Sequence, residues 1–342
     1  MAQMARRRSH DDTALSEESP FKINFPAFDG GDVTLAPSAQ PMSDDRRQRC
    51  VLWLKWRHFP PFDVTNIELV GVVNQMRAQD DNKARPGQVE LNYQGHTSTR
   101  NDEDNARLKL FERVDSSLFR KETYENFIAL ADNYDRMTGV AEVETSQERE
   151  EISAFVDSIM KTRPWKLLFD FLQRKRHPFA KDAKTFRRWV IQLWFIQYSR
   201  ARGKADTSGF EHVFMGESKN NEIAGMHNWV RFHLLERNVS EQFDYKGFLI
   251  KRFNVMAAVK FTWHSELKRS GSFIIGSSPE FDMALYTVCF LSRRGRTTCD
   301  VEIEGCPMSI TSYELIQQRK LFIGTVYPSA GRITDKCRRI NG

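Results

Sequence analysis

Cysteine is scarce in this sequence, with 5 residues among 342, and no two are spaced as a Cys-x-x-Cys pair. Five cysteines with this spacing match neither a disulfide framework nor a zinc knuckle. We therefore expect the cysteines to be reduced thiols of an intracellular protein. They are Cys50, Cys289, Cys299, Cys306 and Cys337.

Long apolar runs are absent as well. No run of about 18 apolar residues occurs, which predicts no transmembrane helix, and residues 1–20 contain no apolar stretch of the kind that a signal peptide needs. These absences predict a cytoplasmic or nuclear protein, or a secreted one if the start is truncated. The tripeptide Asn238-Val239-Ser240 matches a glycosylation sequon, but such tripeptides are common by chance.

Several enzyme fingerprints are missing too. The sequence has no GxGxxG and no GxxxxGKS/T segment, which argues against the usual dinucleotide and P-loop nucleotide sites. It has no HExxH and no GxSxG segment, so neither a zinc protease nor an α/β-hydrolase is supported.

What the chain does contain is typical of a folded globular protein, with 40% hydrophobic and 28% charged residues. Lysine and arginine exceed aspartate and glutamate by 51 to 45, which gives a formal net charge of +6. A basic balance mildly favours a polyanionic partner, because neutralised phosphates release counterions.

The order of predicted elements indicates an α+β fold. A helical part covers about 66–204, where Thr145 and Glu148 spell a capping box ahead of an apolar stripe. Over about 205–328 the pattern changes to alternation, clearest in residues 255–264, which predicts an antiparallel β-rich half. Helices that precede strands favour α+β over a doubly wound sheet.

Two terminal segments flank this predicted domain of residues 66–328. Residues 1–65 are polar and charge-rich, and we predict a leader that is disordered or loosely attached. Residues 329–342 form a basic C-terminal tail.

Two of the eight histidines differ from the others in their surroundings. His212 and His227 lie fifteen positions apart, each near a glycine that allows a tight turn, so a strand–loop–helix return would bring both to one cleft. Two histidines with pKa values near neutrality suit acid–base catalysis, one accepting a proton while the other donates. The competing interpretation is a metal pair with Glu211 or Glu217 as a third ligand.

These segments resemble the active-site motifs of the EndoU (XendoU-type) poly(U)-specific endoribonucleases. A lysine motif and a terminal block of that family are matched further along the chain, and the resemblance runs over about 66–328. In chain order, the main matches are residues 209–214 with 216–217, residues 225–229, residues 267–268 with 271–281, residues 284–290 and residues 323–328.

The resemblance implies His212, His227 and Lys268 as catalytic residues. It also implies RNA cleavage near uridine that leaves a 2′,3′-cyclic phosphate and a 5′-hydroxyl. We assign His227 as the base, His212 as the acid and Lys268 as the stabiliser of charge on the phosphorane. The sequence leaves open whether the two histidines exchange roles.

A substrate site follows from the same resemblance. Tyr327 would stack on ribose or base, and Ser272 or Thr325 would hydrogen-bond the uracil edge. Glu211 and Glu217 are supporting residues that orient the histidines or approach a cation. As isolated residues they would be ordinary solvated carboxylates.

Cofactor and partner are expected by resemblance as well. Members of this family are often stimulated by manganese, so Mn²⁺ is the expected cofactor, bound to RNA phosphates or at a weak outer site. The expected partner is single-stranded, uridine-containing RNA, and the expected state is a monomer. The alternative function is an EndoU-like RNA-binding protein with little or no cleavage. A metal-dependent hydrolytic phosphodiesterase would need ligands that are not evident in the sequence.

Overall fold

The computed structural model describes residues 62–201, 203–294 and 298–342. The predicted leader therefore lies outside the described residues except for its last four positions, 62–65. Helices dominate the first part of the described chain and strands the second, which confirms the predicted α+β class.

The first part contains five α-helices and one small sheet. The sheet pairs β1 (Val89–Leu91) with β2 (Phe111–Val114) in antiparallel fashion. The helices are α1 (Asn66–Ala78), α2 (Glu122–Ala129), α3 (Ser146–Met160), α4 (Arg163–Arg174) and α5 (Ala183–Trp194). Helix α3 begins with the predicted capping box, in which the Thr145 hydroxyl accepts the Glu148 N–H and the Glu148 carboxylate accepts the Thr145 N–H.

The second part begins with a π-helical turn, Glu211–Met215, and continues into most of the sheet structure. Its elements are β3 (Glu217–Lys219), β4 (Glu222–Ala224), α6 (Trp229–Arg237), β5 (Phe243–Arg252), β6 (Met256–Trp263), β7 (Glu266–Ile274), α7 (Pro279–Ser292), β8 (Thr298–Ile303), β9 (Cys306–Gln317), β10 (Lys320–Ala330) and α8 (Asp335–Asn341).

Two sheets form the β-rich half. One has five strands in the order β3-β4-β7-β6-β5, antiparallel except for the parallel pair β4 and β7, and the other is antiparallel in the order β10-β9-β8. Strand β10 contacts β7, so the two sheets approach each other along these strands. Helix α7 is buried along its whole length and packs on β8, β9 and β10, as expected for a helix that is apolar on most sides.

The four cysteines in the described part of the chain form two disulfides, so the prediction of reduced thiols is wrong. Cys289 of α7 bonds to Cys299 of β8, and Cys306 of β9 bonds to Cys337 of α8. Spacing did not reveal the pairs because they depend on packing. Each helix is laid against its strand, with Cα separations of 5.5 and 4.5 Å. The fifth cysteine, Cys50, lies outside the described residues.

The predicted basic C-terminal tail is ordered. Strand β10 continues into it as far as Ala330, and residues Asp335–Asn341 form α8, which the second disulfide ties to β9. Across the described ranges, no helix combines the length and the apolar character needed to cross a bilayer.

Candidate active site

His212 is positioned by the π-helical turn. The Gly216 N–H donates to the Glu211 carbonyl at 2.9 Å, which closes the wide turn, and Gly216 then leaves it with a φ of 84°. Turns of this type are uncommon and often lie at functional sites. The chain continues into the hairpin β3–β4, so a helical turn and a hairpin stand where the sequence predicted a strand and a loop.

His227 reaches the same place through backbone pairing. The Met226 N–H donates to the His212 carbonyl at 2.9 Å, and the His227 N–H donates to the Val213 carbonyl at 2.6 Å. Gly225 makes this approach possible, since it has a φ of 70° and an added Cβ would lie 1.7 Å from the His212 carbonyl oxygen. The glycine that begins the second motif is therefore the point where the two motifs touch.

The hydrogen bonds of His227 define its tautomer. Its Nδ1 lies 2.9 Å from the Ser272 carbonyl oxygen, which only accepts hydrogen bonds, so Nδ1 carries the proton and Nε2 carries the lone pair. Burial, and next the charge of Lys268, lower the pKa of His227 well below its ordinary value. His227 is thus a neutral imidazole whose unprotonated Nε2 is available to accept a proton.

His212 has a different partner. Its Nδ1–H donates to the Glu217 carboxylate at 2.7 Å, and its Nε2 lies 3.1 Å from the Thr325 hydroxyl. Burial and the charge of Arg200 lower the pKa of His212 to about 4, against the opposing effect of Glu217. A carboxylate behind Nδ1 orients the ring and stabilises the imidazolium form.

Glu217 is held ionised by groups outside the sequence motifs. Burial alone would raise its pKa, but its interaction with His212 and the charge of Arg200 lower it to about 2. The Arg200 Nε lies 3.2 Å from Oε1, and the Thr207 hydroxyl donates to Oε2 at 2.7 Å. Sequence reasoning did not identify Arg200 and Thr207 as partners of Glu217, and the need of a buried carboxylate for a cationic partner is the only general signal for them.

Lys268 lies on β7, half-buried beside the two histidines. Its side chain forms no hydrogen bond or ion pair with the rest of the described chain. Burial lowers the pKa of Lys268 to about 8, although Glu217 and Glu222 oppose this shift. Its charge in turn lowers the pKa of both histidines, so the three groups lie within electrostatic reach of one another.

Strands β7 and β10 bring the predicted substrate residues to the same cleft. Thr325 contacts His212 through its hydroxyl, and the ring centroid of Tyr327 lies 5.3 Å from that of His227, at an interplanar angle of 30°. Ser272 contacts His227 through its main-chain carbonyl.

Glu211 stands apart from this group. Its carboxylate accepts the Ser208 N–H at 3.2 Å and hydrogen-bonds to neither histidine ring. Burial, followed by the charges of Glu142 and Glu217, raises the pKa of Glu211 from 4.5 to about 10. Glu211 is thus a neutral, buried acid at physiological pH, whereas Glu217 is an ionised one.

The raised pKa of Glu211 predicts a pH-dependent stability. The folded-state pKa of Glu211 is above its unfolded value, so the protonated side chain makes its full contribution to the free energy of unfolding below about pH 4.5. This contribution falls as the pH rises and is lost once the pH has passed about 10. We expect Glu211→Gln to match the wild type at pH 5 and to exceed it increasingly at pH 7 and 9, in free energies of unfolding by urea. The exposed Glu150→Gln is the matched control. Parallel pH profiles for wild type and Glu211→Gln would contradict the assignment.

Comparison with known proteins places these motifs in one family. The family model described as "Endoribonuclease XendoU" matches residues 68–328, which include every predicted site residue.

The chain belongs to the XendoU endoribonuclease family.

Individual relatives agree with this membership. Uridylate-specific endoribonuclease D of Xenopus laevis is 36% identical over 277 residues, covering 78% of this chain and 89% of the relative. The uridylate-specific endoribonuclease of Homo sapiens is 36% identical over 280 residues, covering 77% of this chain and 66% of the relative. The resemblance noted in the sequence is therefore confirmed.

A solved XendoU structure is similar as well. It is described as a splicing independent snoRNA processing endoribonuclease, and it shares 33% identity with this chain at a TM-score of 0.66. The match covers 79% of this chain and 99% of that structure.

The donor set at the XendoU-type cleft does not fit a metal centre. No group of three or more histidine, cysteine, aspartate or glutamate side chains within the described ranges is arranged to hold a metal ion. The Nδ1 atoms of His212 and His227 are engaged by Glu217 and the Ser272 carbonyl, and Glu217 is itself paired with Arg200. The competing metal-pair interpretation therefore lacks a ligand set.

Proposed function

We propose that this chain is a uridylate-specific endoribonuclease that cleaves single-stranded RNA by attack of a 2′-hydroxyl on the adjacent phosphorus. One observation carries the proposal: two histidines share a cleft with Lys268, and their Nδ1 atoms have different partners, a neutral carbonyl for His227 and a carboxylate for His212. The names of the XendoU-type relatives support uridine as the preferred base.

The chemistry follows from the two imidazoles. Nε2 of His227 accepts the proton of the 2′-hydroxyl, and the freed oxygen attacks phosphorus. The bond from phosphorus to the 5′-oxygen breaks as Nε2–H of a protonated His212 donates its proton to that oxygen. The products are a 2′,3′-cyclic phosphate and a 5′-hydroxyl, with no water consumed. The Lys268 ammonium stabilises the extra negative charge of the phosphorane.

The different partners of the histidines support these separate roles. The Ser272 carbonyl fixes the proton of His227 on Nδ1 and leaves Nε2 free to accept. The Glu217 carboxylate favours the protonated form of His212. Bound RNA adds negative phosphate charge beside both rings, which raises their pKa values towards neutrality.

The steps above are carried by the chain's own residues. No set of described side chains fits a metal cage, so we propose that stimulation by Mn²⁺ acts through RNA phosphates or a weak outer site. We also propose that the chain acts as a monomer on single-stranded RNA.

The test uses end-labelled RNA with a single uridine, incubated with Mn²⁺ and either wild type or His227→Ala. We expect cleavage at the uridine with a cyclic phosphate end, and loss of cleavage by about 10²–10⁴-fold in the variant. A strand with 2′-deoxyuridine at the same position should stay intact, because it lacks the attacking hydroxyl. Cleavage of that strand, or a linear phosphate product, would refute the mechanism. Tight binding without cleavage by folded wild type would favour the RNA-binding alternative.

Ser272 allows base recognition to be separated from catalysis. Because its carbonyl holds His227, Ser272→Ala removes only the hydroxyl and keeps the catalytic hydrogen bond. We expect the ratio of kcat/KM for uridine over cytidine to fall by roughly 2- to 13-fold, the value of one hydrogen bond to an uncharged partner. The control is Ser312→Ala, which removes the hydroxyl of a buried serine on a different strand, β9, and should leave the ratio unchanged. An unchanged ratio in Ser272→Ala would remove Ser272 from base recognition.

A further inference from the structure

The turn between α6 and β5 contains the single Asn-x-Ser/Thr sequence of the chain, Asn238-Val239-Ser240. All three residues are exposed, and the Val239 side chain is 89% exposed. A bulky group attached here would extend into solvent without displacing any packed side chain.

The hydrogen bonds of this turn leave the Asn238 side-chain nitrogen available for attachment of a glycan. Asn238 Oδ1 accepts the Ser240 N–H at 3.2 Å and the Ser240 hydroxyl at 2.8 Å. Asn238 Nδ2, the atom to which an N-linked glycan is attached, donates no hydrogen bond to any other described residue. The turn therefore uses the oxygen of the amide and leaves its nitrogen free.

The two disulfides indicate the compartment in which such a modification takes place. Their four sulfurs belong to cysteines that are at most 1% exposed, in α7, α8, β8 and β9. Disulfides form and persist in oxidising compartments and are rare in the cytosol. In eukaryotes, N-linked glycans are added to Asn-x-Ser/Thr sequences of chains that enter the same oxidising secretory pathway.

We propose that Asn238 carries an N-linked glycan and that this chain folds in an oxidising secretory compartment. The two observations are independent, since one concerns an exposed turn and the other the buried contacts of α7 and α8. The glycan would be attached at the end of α6 remote from His227. Helix α6 separates Asn238 from Asn228, the neighbour of His227, and its rise of about 1.5 Å per residue puts them roughly 15 Å apart.

The test directs the full chain into the secretory pathway of a eukaryotic cell and reads the occupancy of Asn238 by mass spectrometry, before and after glycosidase treatment. Cells and medium are pooled, so a secretion defect does not affect the result. Asn238→Asp keeps the capping oxygen and removes the acceptor nitrogen, and Ser240→Ala removes the hydroxyl. We expect one glycan in wild type and in Ser240→Thr, and none in the other two variants. Asn221→Asp, in the exposed β3–β4 turn, is the matched control and should keep the glycan.

A second arm tests oxidative folding. Alkylation before reduction should leave the four cysteines of the two disulfides unmodified, and chain made in a reducing cytosol should unfold at a lower temperature. An unmodified Asn238 in the pooled wild type would refute the glycan. Free thiols at those cysteines, or equal melting temperatures for the two preparations, would refute folding in an oxidising compartment. RNA cleavage is read separately and is expected to be the same before and after glycan removal.

Discussion

Glu217→Gln is expected to lower kcat by about 10²–10⁴-fold while KM changes little, because general acid catalysis depends on a correctly protonated His212. Glutamine retains an oxygen that accepts the His212 Nδ1–H, so the ring keeps its orientation while the charge is lost. The pKa of Glu217 is about 2, so the wild-type side chain is ionised throughout the working range. The measurement is kcat and KM for a single-uridine RNA over a pH series.

The pH series separates a loss of charge from a loss of structure. Without the carboxylate the pKa of His212 falls further, so the residual activity should shift towards acidic pH. Glu217→Gln also leaves the buried Arg200 without its carboxylate, and a lower melting temperature is expected. Glu150→Gln, an exposed position on α3, serves as the control and should behave as wild type. A Glu217→Gln variant with wild-type kcat would refute the assignment of His212 as the acid.

Replacement of Lys268 is the second change with a large expected effect. Lys268→Met should lower kcat by about 10²–10³-fold, the usual cost of removing one group that stabilises transition-state charge. The wild-type kcat/KM should also decline in a step as the pH rises through about 8, because the lowered pKa of Lys268 makes it lose its proton there. Lys268→Arg should retain part of the activity, and its kcat/KM should no longer decline near pH 8, since arginine remains charged.

The neighbouring Arg269 supplies the matched control. It follows Lys268 on β7, points to the opposite face of the strand, and pairs with Asp102 at 2.9 Å. Arg269→Met removes the same formal charge, yet kcat should change less than about 3-fold because an exposed pair contributes little. Equal losses in Lys268→Met and Arg269→Met would show that net charge, and not a specific contact, accounts for the effect.

Local sequence patterns were sufficient to predict the helices and strands and to locate the motifs in the chain. Thr145 and Glu148 begin α3 as predicted, because a capping box involves residues only three positions apart. The alternation over residues 255–264 coincides with β6, Met256–Trp263, because alternation reflects the two faces of a single strand. The glycine near His227 was predicted to allow a tight turn, and Gly225 has a φ of 70° there, whereas its close approach to the His212 carbonyl was visible only in the structure.

The protonation of the site was decided by contacts between distant parts of the chain. The Ser272 carbonyl, which fixes the tautomer of His227, lies 45 positions away in the sequence, and Glu217 stays ionised despite burial because of its contacts with His212 and Arg200. Glu211 and Glu217 are six positions apart and of the same residue type, yet burial raises the pKa of one to about 10 while cations lower the other to about 2.

The sequence by itself determined the α+β class and the family, because caps, alternation and motifs are local in the chain. Only the tertiary structure decided which histidine faces a carboxylate, which glutamate is ionised and that Cys289, Cys299, Cys306 and Cys337 are paired. The physical reason is that pKa values and disulfides depend on burial and on the distances between atoms, which packing sets between residues far apart in the chain.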